Sequence, residues 1–195
     1  MTTDPAALAG LATPMAVRVA ATLRLADHLA AGQRTAAQLA AATATDTGTL
    51  DRLLRHLCTI GLLRRDGPDG YRLTEDGEPL RERHPGGLRA RLALDGPEGM
   101  ADLSFVHLLD TVRTGRAAFP RTYGRTFWEH LAADASLAGA FHHRMGLAVE
   151  TLAPAVAAAY DWAALGRVTD VGGGNGSLLT ALLRRFPPFV YINGF

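Results

Sequence analysis

Lysine is absent from these 195 residues, and all 20 basic side chains are arginine. With alanine, glycine and leucine abundant, that bias speaks to a GC-rich coding sequence and not to a mechanism. Cysteine occurs once, at Cys58, so no internal disulfide can form. Cys58 sits in an apolar helical pattern, which marks it as a buried, inert thiol. No apolar run approaches the roughly 20 residues that span a bilayer. The opening Met-Thr-Thr-Asp-Pro carries no basic stretch before an apolar one, so it does not read as a secretory signal. A cytoplasmic chain without a membrane partner is expected. Charge of one sign is missing too: net charge is +1, with no general pull toward nucleic acid or anionic lipid. Hydrophobic residues at 48% and charged residues at 20% suit a globular protein, long enough for one full domain or for a small domain plus part of another.

Along the chain, helical periodicity dominates. Pro14 opens a helix predicted over 14–31, with Met15, Val19, Leu23, Ala26 and Leu29 on one face and Val17, Ala21 and Leu25 elsewhere on the wheel. A helix apolar on more than one face needs more than one partner. Gly32 stops it, and Thr35 caps a short helix over 36–42. Asp46 or Thr47 caps a third, ending at Gly61, with Leu50, Leu53, Leu54, Leu57 and Ile60 on its core face. Two short strands, 62–64 and 71–73, flank the turn cluster Asp66-Gly-Pro-Asp-Gly70. Thr74 caps another short helix. Three helices followed by a two-stranded wing is the winged-helix plan.

Further on, helices are predicted over 88–94, 97–113 and 126–133, with a loop over 115–124. A helix over 135–160 carries a stripe of Leu137, Phe141, Met145, Ala148 and Leu152, and Pro154 should kink or split it. Residues 168–171 read as a strand and 177–185 as a helix. The ending, Phe189-Val-Tyr-Ile-Asn-Gly-Phe195, differs in composition from everything before it. It holds one of two isoleucines and one of two asparagines. A frame change, a truncated gene, a trimmed polypeptide or a genuine strand would each produce it.

Between that strand and helix lies Asp170-Val-Gly172-Gly-Gly174-Asn-Gly176. Glycine is needed where a turn is tight and a ligand approaches bare backbone. The following helix start adds free N–H groups and the positive end of a dipole. This is the setting of a nucleotide-type cofactor site. The spacing is G-x-G-x-G with an acid two residues before the first glycine. The dinucleotide fingerprint would require G-x-G-x-x-G, and Ser177 takes its last place.

The D-x-G-x-G-x-G form resembles motif I of S-adenosylmethionine-dependent methyltransferases. Together with residues 13–28, Leu53-Leu-Arg-His-Leu57, Asp110-Thr-Val-Arg-Thr-Gly115, Phe141-His-His-Arg-Met145 and Ala158-Ala-Tyr-Asp-Trp162, it makes the chain resemble small-molecule O-methyltransferases with a winged-helix dimerisation domain. The bacterial branch acting on aromatic polyketides such as anthracyclines is the nearest in pattern. The resemblance spans about 11–188. It implies a mainly α chain: a winged-helix dimerisation domain (1–85), a helical linker (86–160) and the first strand, loop and helix of a Rossmann-like methyltransferase domain (161–195). It implies S-adenosylmethionine as cofactor, held by Asp170, Gly172, Gly174 and Gly176. It implies a homodimer through the N-terminal helices, which fits the multi-faced first helix, and methyl transfer to a hydroxyl of a small aromatic substrate. Met145 matches a family methionine that packs on the cofactor, whereas its helical stripe alone makes it ordinary core.

By count from Asp170, the family's ribose-holding acid falls at Phe195, which cannot accept those hydrogen bonds. The substrate pocket and general base are expected beyond the chain end, so no catalytic residue is assigned. The 195-residue chain alone is expected to be inactive, as the C-terminally truncated start of such an enzyme.

Two other readings stand beside this one. The first is a dimerising, non-catalytic remnant. The second is a DNA-binding winged helix using Arg52, Arg55, Arg64 and Arg65. Residues 1–85 hold ten arginines and ten acids, and a DNA reader should show a basic face. No nucleic-acid partner is therefore expected. His130, His142 and His143 lack companions at ligand spacing, so no metal is expected either. Phe127 and Trp128 read as packing residues.

Overall fold

A computed structural model describes residues 4–174 and 176–186, and the backbone of 190–194. The chain divides into two compact units, residues 1–127 and 128–195.

The first unit opens with α1 (Pro5–Ala9), capped by Asp4. The helix expected over 14–31 is two helices, α2 (Ala12–Thr22) and α3 (Leu25–Ala30). Arg24 separates them at φ 53°, a left-handed backbone rare outside glycine. Ion pairing of Arg24 with Glu82 at 3.3 Å accompanies that bend. Thr22 also bonds back to the Arg18 carbonyl at 2.7 Å, a contact that tends to bend helices. The bend reconciles the several apolar faces: Ala16, Ala20 and Ala21 from α2, and Leu25, Ala26 and Leu29 from α3, are all buried inside this one unit.

α4 (Ala36–Thr43) starts with a reciprocal cap: Thr35 accepts from the Gln38 N–H, and Gln38 Oε1 accepts from the Thr35 N–H. α5 (Thr47–Thr59) is capped by Asp46, which accepts from Thr49 N–H at 2.7 Å. The Thr49 hydrogen bonds hold the Asp46 carboxyl below its usual range. Leu50, Leu54 and Leu57 enter the core as the spacing predicts, while Leu53 and Ile60 are only partly buried against it.

β1 (Leu63–Asp66) and β2 (Gly70–Leu73) form an antiparallel hairpin with Leu63 opposite Leu73. Tyr71 fastens this wing. Its ring is fully buried, its hydroxyl donates to Asp51 at 2.6 Å, and the Arg65 guanidinium lies over the ring at 4.7 Å. Burial, and then the bond to anionic Asp51, push its pKa up to about 12. Cys58 lies half-buried against the same core, and burial pushes its thiol up.

After Thr74, which accepts from the Gly77 N–H, comes a 3-10 turn, Glu78–Leu80. α6 (Leu88–Leu92) and α7 (Pro97–Leu103) pack back toward α2: Leu94 N–H donates to Thr22, Arg18 donates to the Leu92 carbonyl, and Arg18 pairs with Asp102. The helix expected over 97–113 is interrupted by a 3-10 segment, Ser104–His107, before α8 (Leu108–Thr114). The loop expected over 115–124 contains α9 (Phe119–Tyr123), which opens with Pro120 in its first turn and ends at Gly124, φ 74°.

α10 (Phe127–Ala132) leads into the second unit, where α11 (Ala135–Ala158) starts at an Asp134 cap. α11 continues through Pro154 and is not split there. Its buried positions are Gly146, Ala153 and Ala157, so the expected stripe is only partly inward: Leu152 is 62% exposed and Met145 44%. The small residues let α12 (Ser177–Arg185) approach α11, burying Leu179 and Leu182. β3 (Arg167–Val171) precedes α12, and β4 (Val190–Gly194) follows it. The two strands pair in parallel, Asp170 opposite Asn193, which makes a β-α-β unit. The C-terminal sequence expected as one possibility to be a strand is therefore a strand over 190–194.

Candidate cofactor loop

The segment from β3 to α12 turns on alternating glycines. Gly172, Gly174 and Gly176 have φ of 71°, 57° and 72°, all in the left-handed region. A side chain at any of the three would meet open space, so the requirement there is conformational. Gly176 N–H donates to the Gly173 carbonyl at 2.9 Å, and the Gly176 carbonyl accepts from Thr180 N–H, starting α12.

Gly173 obeys a different constraint. A Cβ there would lie 2.2 Å from Asp170 Oδ2 and 2.4 Å from its Cγ. The Asp170 carboxylate is folded against the loop's backbone, so a side chain at Gly173 would require it to move. Its Oδ2 is buried without a hydrogen-bond partner among the described residues. A buried, unpaired carboxylate oxygen is costly unless a donor reaches it. The loop is thus a bare-backbone cradle with a carboxylate beneath it, at a helix start. Sequence reasoning named Asp170 and the three alternating glycines but not Gly173, whose need comes from a contact and not from spacing.

Met145 is brought to a partly exposed position on α11 rather than into that helix's buried face. Phe195, where the family's ribose-holding acid was counted, lies outside the described residues. Within the second unit a groove of about 740 Å3 runs between α11 and α12, lined by Glu150, Pro154, Thr180, Arg184 and others, with Ser177 beside the loop. Trp128 meets Phe141 edge-on at 5.8 Å and is 66% exposed. Within the first unit, an apolar cleft of about 240 Å3 is lined by Phe105, Leu108, Phe119 and Phe127. Among the described residues no cluster of three His, Cys, Asp or Glu side chains could hold a metal, and no helix is long and apolar enough to cross a membrane.

Residues 6–80 match the model of the O-methyltransferase dimerisation domain, and residues 105–193 match the model of the O-methyltransferase domain. The chain belongs to the O-methyltransferase family. Among its relatives, a 2,7-dihydroxy-5-methyl-1-naphthoate 7-O-methyltransferase of Streptomyces carzinostaticus is 55% identical over 177 residues, covering 91% of this chain and 53% of the relative. Aclacinomycin 10-hydroxylase RdmB of Streptomyces purpurascens is 50% identical, covering 92% of this chain and 49% of that protein. The chain thus spans about half the length of the curated relatives it matches. Among solved structures, the O-methyltransferase NcsB1 from neocarzinostatin biosynthesis, in complex with S-adenosylmethionine and 2-hydroxy-5-methyl naphthoic acid, superposes with TM-score 0.90 at 50% identity, covering 98% of this chain and 59% of that one. The family's cofactor is S-adenosylmethionine. The mainly α architecture with a β-α-β start agrees with a portion of that fold.

Proposed function

We propose that this chain serves S-adenosylmethionine-dependent O-methylation of an aromatic natural product, with a polyketide-type hydroxyarene as acceptor. The observation that carries the reading is the loop at 172–176, where three left-handed glycines and the space at Gly173 expose backbone above the Asp170 carboxylate. In this reading Gly172, Gly174 and Gly176 admit the cofactor to the main chain, and Asp170 offers an acceptor that no described residue satisfies. Met145, exposed on α11, supplies an apolar contact to it. The cofactor supplies a methyl group activated on a sulfonium. Methyl transfer then requires that methyl to be held in line with an acceptor oxygen, because alignment is the larger part of such catalysis. The parts are a dimerisation domain (1–85), a linker (86–160) and the start of the cofactor domain (161–195), in a cytoplasmic homodimer without a nucleic-acid partner.

One observation favours the non-catalytic remnant as a second reading for the 195-residue polypeptide. Val171, at the head of the loop, is 80% exposed, whereas parallel strands are normally covered on both faces. The test is incubation of a protein carrying this chain at the length of its relatives with methyl-labelled S-adenosylmethionine and a panel of hydroxynaphthoates, because the 195-residue chain alone is expected to be inactive. A labelled methyl ether formed with one equivalent of S-adenosylhomocysteine supports methylation. Cofactor-dependent hydroxylation without label replaces it with the chemistry named for RdmB. Neither product returns the remnant reading. A mobility shift on duplex DNA at low salt would displace all three.

A further inference from the structure

Residues 81–104 lie between the two family matches and belong to neither. In the first unit this segment rests on α2 and α3, and what holds it is mostly polar. The Arg18 guanidinium divides between the Leu92 carbonyl, at 3.4 Å, and the Asp102 carboxylate. The Thr22 hydroxyl donates to the Arg18 carbonyl and accepts from the Leu94 N–H at 2.9 Å. At the other end, the Glu82 N–H donates to the Asp27 carboxylate at 3.1 Å, and the Glu82 side chain pairs with Arg24 and with Arg89. Apolar anchorage is slight by comparison. α6 buries no residue, Leu88 and Leu92 are only partly buried against Ala21, Ala26 and Leu80, and the buried positions that follow, Ala93, Pro97 and Gly99, carry little side chain. We propose that residues 82–102 form a strap, latched on α2 and α3 by Arg18 and Glu82, that lifts as one piece while α4, α5 and the wing stay closed. Its release lengthens the tether between the residues matched to dimerisation and those matched to methyl transfer.

Packing favours lifting over general unfolding. α4, α5 and the wing are held by Leu39, Leu54, Leu57 and Tyr71, all within 1% of complete burial, and the strap has no side chain of that size so enclosed. Segments with few buried apolar contacts open at lower free energy than the core. The latch is more than a surface pair. The Arg18 side chain is 16% exposed, so its bonds are made largely out of water, where losing a partner is costly. A strained backbone sits at the opposite end. Arg24 holds φ 53°, a conformation that persists only where its surroundings fix it, and Glu82 is the strap residue paired with it. Strap and bend are therefore linked. Every group involved lies in the first unit, so the inference stands apart from the cofactor reading.

The experiment is hydrogen exchange on the 195-residue chain, with α5 and the wing as the reference within each sample. Arg18→Met keeps the aliphatic stem and removes the donors. It should speed exchange of the Leu94 N–H and of the hydrogen-bonded amides of α7 roughly tenfold, leaving α5 and β2 unchanged. Glu82→Gln, at the far end, should speed the same amides. Acceleration confined to the neighbours of each substituted residue means independent contacts and overturns the strap. Equal acceleration in α5 makes the segment part of the core and overturns it too, as does no acceleration in either variant.

Discussion

The two units are built to different standards. In the first, Leu25, Leu39, Leu54, Leu57 and Tyr71 are buried to the point of near-zero exposure, and the wing is fastened by both backbone pairing and the Tyr71–Asp51 bond. In the second, the described buried side chains are Leu131, Ala153, Ala157, Leu179 and Leu182, and β3 alternates between half-buried and exposed positions. The unit with the thinner packing carries the loop proposed to hold the cofactor. Ligand-binding loops are drawn from the low-stability end of a structure, where ordering is left for the ligand to complete.

The contrast predicts that damage to one unit spares the other. Leu54→Ala, in the densest part of the core, should cost roughly 2–5 kcal/mol of the first unit's stability. Denaturant titration followed by hydrogen exchange should show the loss at α2–α5, and equal loss at α12 amides would break the comparison. Gly173→Ala should cost about 1–3 kcal/mol, because the new Cβ overlaps the Asp170 carboxylate and something must move. The faster exchange should be confined to residues 176–185. Unaltered exchange there would mean that the carboxylate moves aside freely.

Tyr71→Phe should cost about 1 kcal/mol by removing the bond to Asp51, and it should do so only below the tyrosine's titration. The raised pKa gives the sign. The neutral phenol is favoured in the folded state, so its contribution is complete below about pH 10 and falls away as pH rises through about 12. Wild type and Tyr71→Phe should therefore converge in stability across that window, as read by denaturation at stepped pH. Parallel curves would sink the assignment.

Local chemistry was legible in the sequence wherever it was self-contained. Thr35 and Asp46 cap the helices assigned to them, the 177–185 helix has the expected bounds, and the Asp66–Gly70 cluster turns the hairpin. Alternating glycines could be read because a left-handed backbone leaves a mark in composition. What failed depended on partners distant in sequence. The break at Arg24 is accompanied by pairing with Glu82, and the interrupted helix over 97–113 follows a segment drawn onto α2. The face of α11 follows the small residues against α12 rather than the stripe that included Met145. Gly173 is the sharpest case: its neighbours mark the turn, yet its own necessity is visible only once Asp170 is seen beneath it.

The half-buried Cys58 has a practical consequence. It is the molecule's sole thiol, seated on α5 against the core of the first unit. A thiol reacts as its thiolate and only when reached by reagent, so burial and the raised pKa both slow it. Its labelling rate therefore reports how closely that core packs around α5. With no lysine among the 195 residues, an amine-directed dye finds no side chain here, so a thiol-directed probe is the selective reporter.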